Sequence, residues 1–248
     1  MGSETMRSMK LSRFISLSGF GSRRKAEIMI REGRVEVNGE VVCEVATRVY
    51  QNSDEILLDG SRAVLPRSNT YLILHKPPGF ICSTLSTVKY RSIYKLLPEG
   101  SASKLKYAGR LDADSEGLVL LTDDGELINR LTHPRYQHGK IYLVKTLGTP
   151  RREDLKLLER GVQLDDGQTA PCNISLVKRL KGGAWLRVEI FEGRKRQLRR
   201  MFETIGHHVV RLKRVSIGTL HMGSLRKGAV RELTPGEIEK LKQSAGLE

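Results

Sequence analysis

Gly109-Arg110-Leu111-Asp112-Ala113-Asp114-Ser115-Glu116-Gly117, running straight into Leu118-Val119-Leu120-Leu121-Thr122, places three acids in a glycine-bracketed loop ahead of an apolar run. The two glycines allow tight backbone turns at both ends. The short, continuous apolar run reads as a buried strand. The rest of the chain is basic: 43 Lys and Arg stand against 28 Asp and Glu, a net charge of +15 over 248 residues. An acidic island weakens charge-driven binding, so it points to chemistry. Asp112, set just before the strand, is the candidate nucleophile, because a carboxylate on a rigid strand paired with a cation stays ionised. Asp114 and Glu116 are expected to face solvent. No His or further carboxylate has spacing that would complete a metal site with these acids.

The charge excess suggests a polyanionic partner. No apolar stretch has transmembrane length, so nucleic acid is expected rather than a membrane. Met1 to Lys10 lacks the apolar centre of a secretory signal. Cys43, Cys82 and Cys172 are far apart and without CxxC or Cys/His spacing, which fits buried thiols in a reducing cytoplasm. Aromatics make up only 5%, too few for a stacking platform along a single strand. P-loop, G-x-G-x-x-G and G-x-S-x-G signatures are missing from the sequence. A glycosidase needs two cooperating carboxylates, and a basic chain suits neutral sugars poorly.

Two parts are expected, 7–66 and 67–248. In the first, Leu11, Phe14, Ile15 and Ser18 share a helical face, Gly19 and Gly21 break that helix, and Ser22 caps a second, Arg23 to Arg31, stopped by Gly33. Val35-Glu36-Val37 alternates as a strand, Asn38-Gly39 is a two-residue hairpin turn, Val41-Val42 returns, and Ile56 to Leu58 closes the module. Arg13, Arg23, Arg24, Lys25, Arg31 and Arg34 crowd the helical pair and its exit. Residues 61–70, with Pro66, read as a linker. Beyond Tyr71 a mixed α/β pattern follows. Strands are expected at 71–74, 118–121, 141–146, 174–178, 184–191 and 208–213, and helices at 125–131, 153–160, 198–205 and 237–242. The last helix opens on a capping box, Thr234-Pro235-Gly236-Glu237.

Four further motifs carry side chains suited to chemistry. Glu192-Gly193-Arg194-Lys195-Arg196-Gln197-Leu198-Arg199-Arg200 sits at a strand-to-helix turn. Arginines at a helix N-terminus oppose the macrodipole, so they suit an anion there better than they suit the helix. Lys140-Ile141-Tyr142-Leu143-Val144 puts Lys140, Tyr142 and Val144 on one strand face. Leu74-His75-Lys76-Pro77-Pro78-Gly79 ends a strand in a rigid turn, which suggests a structural role for Lys76. Val209-Val210-Arg211-Leu212-Lys213-Arg214 alternates, one side facing inward and the other a ligand. His133, His207 and His208 lie near turns and are expected to be structural or RNA-facing.

Together these motifs resemble, over about Leu11 to Leu241, the ribosomal small-subunit pseudouridine synthase A family, in family order and spacing. The N-terminal S-R-R-K-A-E-x-x-I-x-x-G-R-V-x-V-N-G resembles its S-four-type RNA-binding domain. The resemblance implies an α+β fold, in which a small N-terminal α/β RNA-binding module precedes a mixed, largely antiparallel sheet with flanking helices. The implied activity is isomerisation of a uridine in ribosomal RNA to pseudouridine, with no cofactor and no metal. The residue matching Arg199 would pair with catalytic Asp112, and Tyr142 would stack on the base as a candidate general base. Arg110, Arg194, Gln197 and Leu212 would line the base site, and Arg23, Arg24 and Lys25 would touch RNA phosphates. A cytoplasmic monomer with ribosomal RNA as partner is expected. The rival reading is a non-catalytic RNA-binding assembly factor, which needs neither Asp112, Arg199 nor Tyr142. A nuclease or deaminase would need metal ligands that the spacing does not supply.

Overall fold

The computed structural model describes residues 8–51, 53–65, 68–100 and 105–247. The chain divides into two compact units, Met1–Asn69 and Thr70–Glu248.

In the first unit, α1 (Leu11–Leu17) and α2 (Arg23–Arg31) close one core of Leu11, Phe14, Ile15, Ala26, Ile30, Val35 and Ile56. The Ser22 hydroxyl accepts the Lys25 backbone N–H at 3.2 Å, capping α2. Asn38 and Gly39 have φ of 54° and 85°, as a tight hairpin requires. Strand Val35–Val37 pairs with both Glu40–Val41 and Ile56–Leu58. The segment read as a linker starts later than expected: Ser61–Arg62 still pairs with Leu57–Leu58, adding a strand to this small sheet. Pro66 lies outside the described residues.

The second unit is built on one nine-stranded sheet. Its strands are β1 (Tyr71–Lys76), β2 (Lys106–Ala108), β3 (Glu116–Thr122), β4 (Lys140–Leu147), β5 (Asn173–Leu180), β6 (Gly183–Ile190), β7 (Val209–Ile217), β8 (Leu220–His221) and β9 (Val230–Glu232). The order is β5-β6-β4-β7-β3-β1-β9, with β2 beside β3 and β8 beside β7. Every pairing is antiparallel except β3 with β7. The result is a mixed, largely antiparallel sheet with helices on it.

The continuous apolar run of β3 follows from having both faces covered. Val119 and Leu121 join a core that includes Leu198, Met201 and Phe202 of α5 (Gln197–Thr204) and Leu158 of α4 (Arg152–Arg160). Leu118 and Leu120 join a second core with Leu127 and Leu131 of α3 (Gly125–Thr132) and Leu241 of α6 (Pro235–Ser244). The Thr234–Glu237 capping box forms at the start of α6. Among the described residues no helix is long and apolar enough to cross a membrane.

β7 runs longer than its sequence pattern indicates. Its register against β4 slips twice, leaving Val210 and Val215 as extra residues. Such bulges re-aim side chains. Val210 turns outward, while Leu212 and Arg214 both point inward.

Candidate active site

The β3–β7 contact is the centre of the site. Gly117 on β3 has φ of 116°, and a Cβ there would lie 2.1 Å from the Arg214 carbonyl oxygen. Only glycine lets the two strands approach this closely. The loop entering β3 is therefore pressed against β7 at Arg214.

Arg214 is almost completely buried. Its guanidinium donates to the carbonyls of Leu118 (2.8 Å), Gly109 (3.1 Å) and Arg110 (3.4 Å). Further bonds fix the loop: Gly79 N–H to the Ala113 carbonyl at 2.8 Å, Ser115 N–H to the Asp112 carbonyl at 3.1 Å, and Leu111 N–H to Cys82 Sγ at 3.4 Å. The backbone around Asp112 is thus held from three sides. Its carboxylate is half-buried and, among the described residues, has no hydrogen bond or ion pair. Its charge nonetheless acts on Lys76, Arg196 and Arg199.

A cavity of about 210 Å³ opens beside it. Asp112, Tyr142, Leu212, Arg214, Lys140 and Ser115 contribute to its wall. Arg110, Arg194 and Gln197 reach it as well. Tyr142 is directly opposite Arg214 across the β4–β7 ladder, and Val144 is opposite Leu212. Tyr142 and Leu212 are each under 8% exposed, so they present apolar surface to the cavity. Among the described residues nothing hydrogen-bonds the Tyr142 hydroxyl. A flat, aromatic-walled space beside a free carboxylate can hold one planar ring.

Three site expectations are corrected. Arg199 does not pair with Asp112. Its Nε lies 3.3 Å from Asp114 Oδ2, and its other nitrogens donate to the carbonyls of Val209 (2.7 Å) and Asp114 (3.3 Å). The Ser115–Asp112 turn aims the Asp114 side chain at α5, where Arg196 donates to the same oxygen at 2.9 Å. Burial alone would raise the Asp114 carboxyl, but the Arg196 hydrogen bond and both guanidinium charges outweigh it and hold it below its usual range. Arg199 stands behind the loop and does not line the cavity. Burial lowers the pKa of its own guanidinium, with Asp114 opposing.

Second, Glu116 does not face solvent: its side chain is 1% exposed, ion-paired to Arg211 Nε and, at 2.8 Å, to Lys227 Nζ. As the first residue of β3, it points to the face opposite the cavity. Third, Arg194 and Gln197 are engaged elsewhere. Arg194 donates to the carbonyls of Asp166, Gly167 and Gln168, and its Nε bonds Glu192 at 3.2 Å. Gln197 donates to Glu192 at 2.6 Å. They shape the wall more than they present free donors.

Sequence reasoning gave Lys76 only a structural role and assigned Lys140 and Arg214 no part in the site. Lys76 is fully buried, donating to Phe80 (2.7 Å) and Pro77 (3.1 Å) carbonyls; burial lowers its pKa to about 8, opposed by Cys82, Asp114 and Asp112. Lys140 lies in the cavity wall and is likewise lowered to about 8, by burial and then by Arg214. The signal for Arg214 was present: Leu212 and Arg214 are two apart on a strand and so share a face.

Residues 70–204 match the family described as RNA pseudouridylate synthase, and residues 9–54 match the S4 domain. The chain belongs to the RNA pseudouridylate synthase family. It is 42% identical to the Bacillus subtilis ribosomal large subunit pseudouridine synthase B, across 95% of this chain and 96% of that one. An RNA pseudouridine synthase of Aquifex aeolicus without further characterisation is 38% identical, across 98% and 97%. A crystal structure of a pseudouridylate synthase superposes with a TM-score of 0.67 at 35% identity, covering 94% of this chain and 99% of that one. The synthase therefore isomerises uridine in RNA to pseudouridine.

Proposed function

We propose that this synthase acts on a uridine of large-subunit ribosomal RNA, with Asp112 as the residue that carries the chemistry. The large-subunit assignment is supported by the Bacillus subtilis relative, aligned over nearly the whole of both chains. It replaces the small-subunit branch suggested by the motifs alone.

The reaction breaks the bond from ribose to the uracil nitrogen, turns the base, and joins it through carbon five. No atom is gained or lost overall, so no donor or redox partner enters the balance. A paired or stacked uridine cannot reach a walled cavity, so the nucleotide must be extruded; unstacking costs a few kcal/mol, which contacts elsewhere on the RNA offset. The ring packs against Tyr142 and Leu212, which are diagonal neighbours on one face of the sheet. Asp112 attacks as the ribose–nitrogen bond breaks and is released as carbon five bonds the ribose, while the Tyr142 hydroxyl relays the proton from carbon five, which the freed ring nitrogen takes up. Arg214 fixes the loop backbone. Arg199 and Arg196 act through Asp114, holding the outer side of the same loop. Lys140 supplies a cation on the cavity wall.

The observation that carries this reading is the contrast between two carboxylates two residues apart: Asp114 is ion-paired to Arg196 and Arg199, while Asp112 faces the cavity unpaired. A binding factor without catalysis has no use for an unpaired carboxylate beside an RNA-sized opening. The N-terminal module, whose α2 cations have no carboxylate partner among the described residues, supplies phosphate contacts that position the RNA. We place the enzyme in the cytoplasm as a monomer. The test is a map of pseudouridines in ribosomal RNA from cells lacking the gene. One large-subunit uridine should remain unmodified and be restored by the wild-type gene. A missing small-subunit site would overturn the subunit assignment, and an unchanged map would overturn the substrate.

A further inference from the structure

β4, β6 and the first half of β7 turn alternate residues toward the cavity and its core. The residues between them point to the other side of the sheet. There Ile141, Leu143 and Trp185 are half-buried and belong to neither core of the unit.

The pairing register orders this far face into rows. Lys178, Trp185, Lys145 and Arg211 lie side by side across four strands. Arg187, Leu143 and Lys213 form the next row. The Arg211 guanidinium stands 5.9 Å from the Trp185 ring centre. The acids bordering the patch are already matched: Glu116 by Arg211 and Lys227, Glu189 by Arg187 at 3.7 Å.

A sheet with one wet face needs only polar residues there. Two features exceed that need. Lys145 stands directly opposite Arg211 and, among the described residues, has no acidic partner, so it adds a like charge that the Arg211–Glu116 pair offsets only in part. The chain's single tryptophan is also set, half-buried, among these cations. Both become favourable when a polyanion with flat rings lies on the surface.

We propose that this far face is a second contact surface for the RNA substrate, where Trp185 stacks on one base of a segment outside the target helix while Lys145, Arg187 and Lys213 hold its phosphates. The proposal rests on the reading of the chain as an enzyme of ribosomal RNA. An acidic protein segment would match the charges, but a nucleic acid brings Trp185 a ring face with every phosphate.

Because Trp185 is the chain's only tryptophan, its emission reports directly on this surface. The full chain is titrated with a stem-loop carrying only the target helix, and with a longer ribosomal RNA transcript that includes flanking segments. The longer transcript should quench the emission and the stem-loop should not. W185L and the double variant K145Q/R187Q should bind the longer transcript about tenfold more weakly, and the double variant should lower the salt slope by about two. W185F should recover most of the affinity. All variants should modify the stem-loop at the wild-type rate, which also shows that they fold. Unchanged emission at saturating longer transcript, or wild-type affinity in both W185L and the double variant, overturns the proposal and leaves the face to solvent or to an acidic protein. If the wild-type chain makes no pseudouridine in either transcript, the enzyme reading fails, while quenching and affinity still decide this surface.

Discussion

The arginines between Arg194 and Arg200 and the cations of α1 and α2 both stand out as basic clusters in the sequence, yet their surroundings are opposite. Arg194, Arg196, Arg199 and Arg200 each hold an internal partner: Glu192 and the 166–168 carbonyls, Asp114, Asp114 with Val209, and Asp166 at 2.9 Å. Arg13, Arg23, Arg24, Lys25 and Arg31 are exposed, and among the described residues none is paired with a carboxylate. Only Arg34, at the exit of the pair, is tied down, by Asp59 at 2.6 Å. A cation with an internal partner builds a site; one without is available to phosphate. Charge count alone does not separate the two.

That comparison can be broken or sharpened by experiment, and the largest effects belong to the internally braced side. Y142L removes both the stacking ring and its hydroxyl while keeping the wall apolar. Turnover should fall on the order of a hundredfold or more, with RNA affinity within about threefold, measured by single-turnover kinetics and filter binding. R214M strips the Gly109, Arg110 and Leu118 carbonyls of their donor. Unfolding in denaturant should show a loss of ~3 kcal/mol, with turnover reduced about tenfold or more where the protein is still folded. A stability change without any loss of turnover would remove Arg214 from loop positioning.

On the unpaired side the effect should be smaller and purely on binding. R23A/R24A/K25A should weaken RNA affinity about tenfold and reduce the salt slope by about two to three, leaving the rate at saturating RNA unchanged. An unchanged slope would mean that α2 does not touch phosphate.

The smallest expected effect concerns pH. Lys76 titrates at about 8 in the fold against an ordinary 10.5, so above pH 8 the unfolded chain holds the extra proton. Burying the charge destabilises the fold below pH 8, and raising the pH relieves it. Relative to K76M, the wild type should gain ~1 kcal/mol between pH 8 and 9 in denaturant titrations. Parallel curves would show that Lys76 keeps its proton in the fold.

Much of the architecture was legible because local rules suffice for it. Ser22, Asn38-Gly39 and Thr234-Glu237 announce caps and a turn by residue type alone. The unbroken apolar run of β3 reflects burial on both faces. The candidate site was legible only in part. Sequence marked Asp112, Tyr142 and Leu212, which do line one cavity. It could not assign Arg199, since Asp112 and Asp114 differ by one turn of loop and only the Ser115–Asp112 bond decides which carboxylate reaches α5. It also missed that Glu116 is buried, because an acid at the head of a strand looks solvated until Arg211 and Lys227 are known to converge on it. The bulges at Val210 and Val215 depend on register against β4, a long-range property.

The central claim is that of two neighbouring acids only the unpaired one does chemistry. The direct measurement is pseudouridine formation on a target transcript by D112N and D114N side by side, with RNA affinity as the control. D112N should make no detectable product while binding as the wild type does. D114N should retain a substantial fraction of activity, reduced through looser bracing by Arg196 and Arg199. An active D112N beside an inactive, folded D114N would contradict the account.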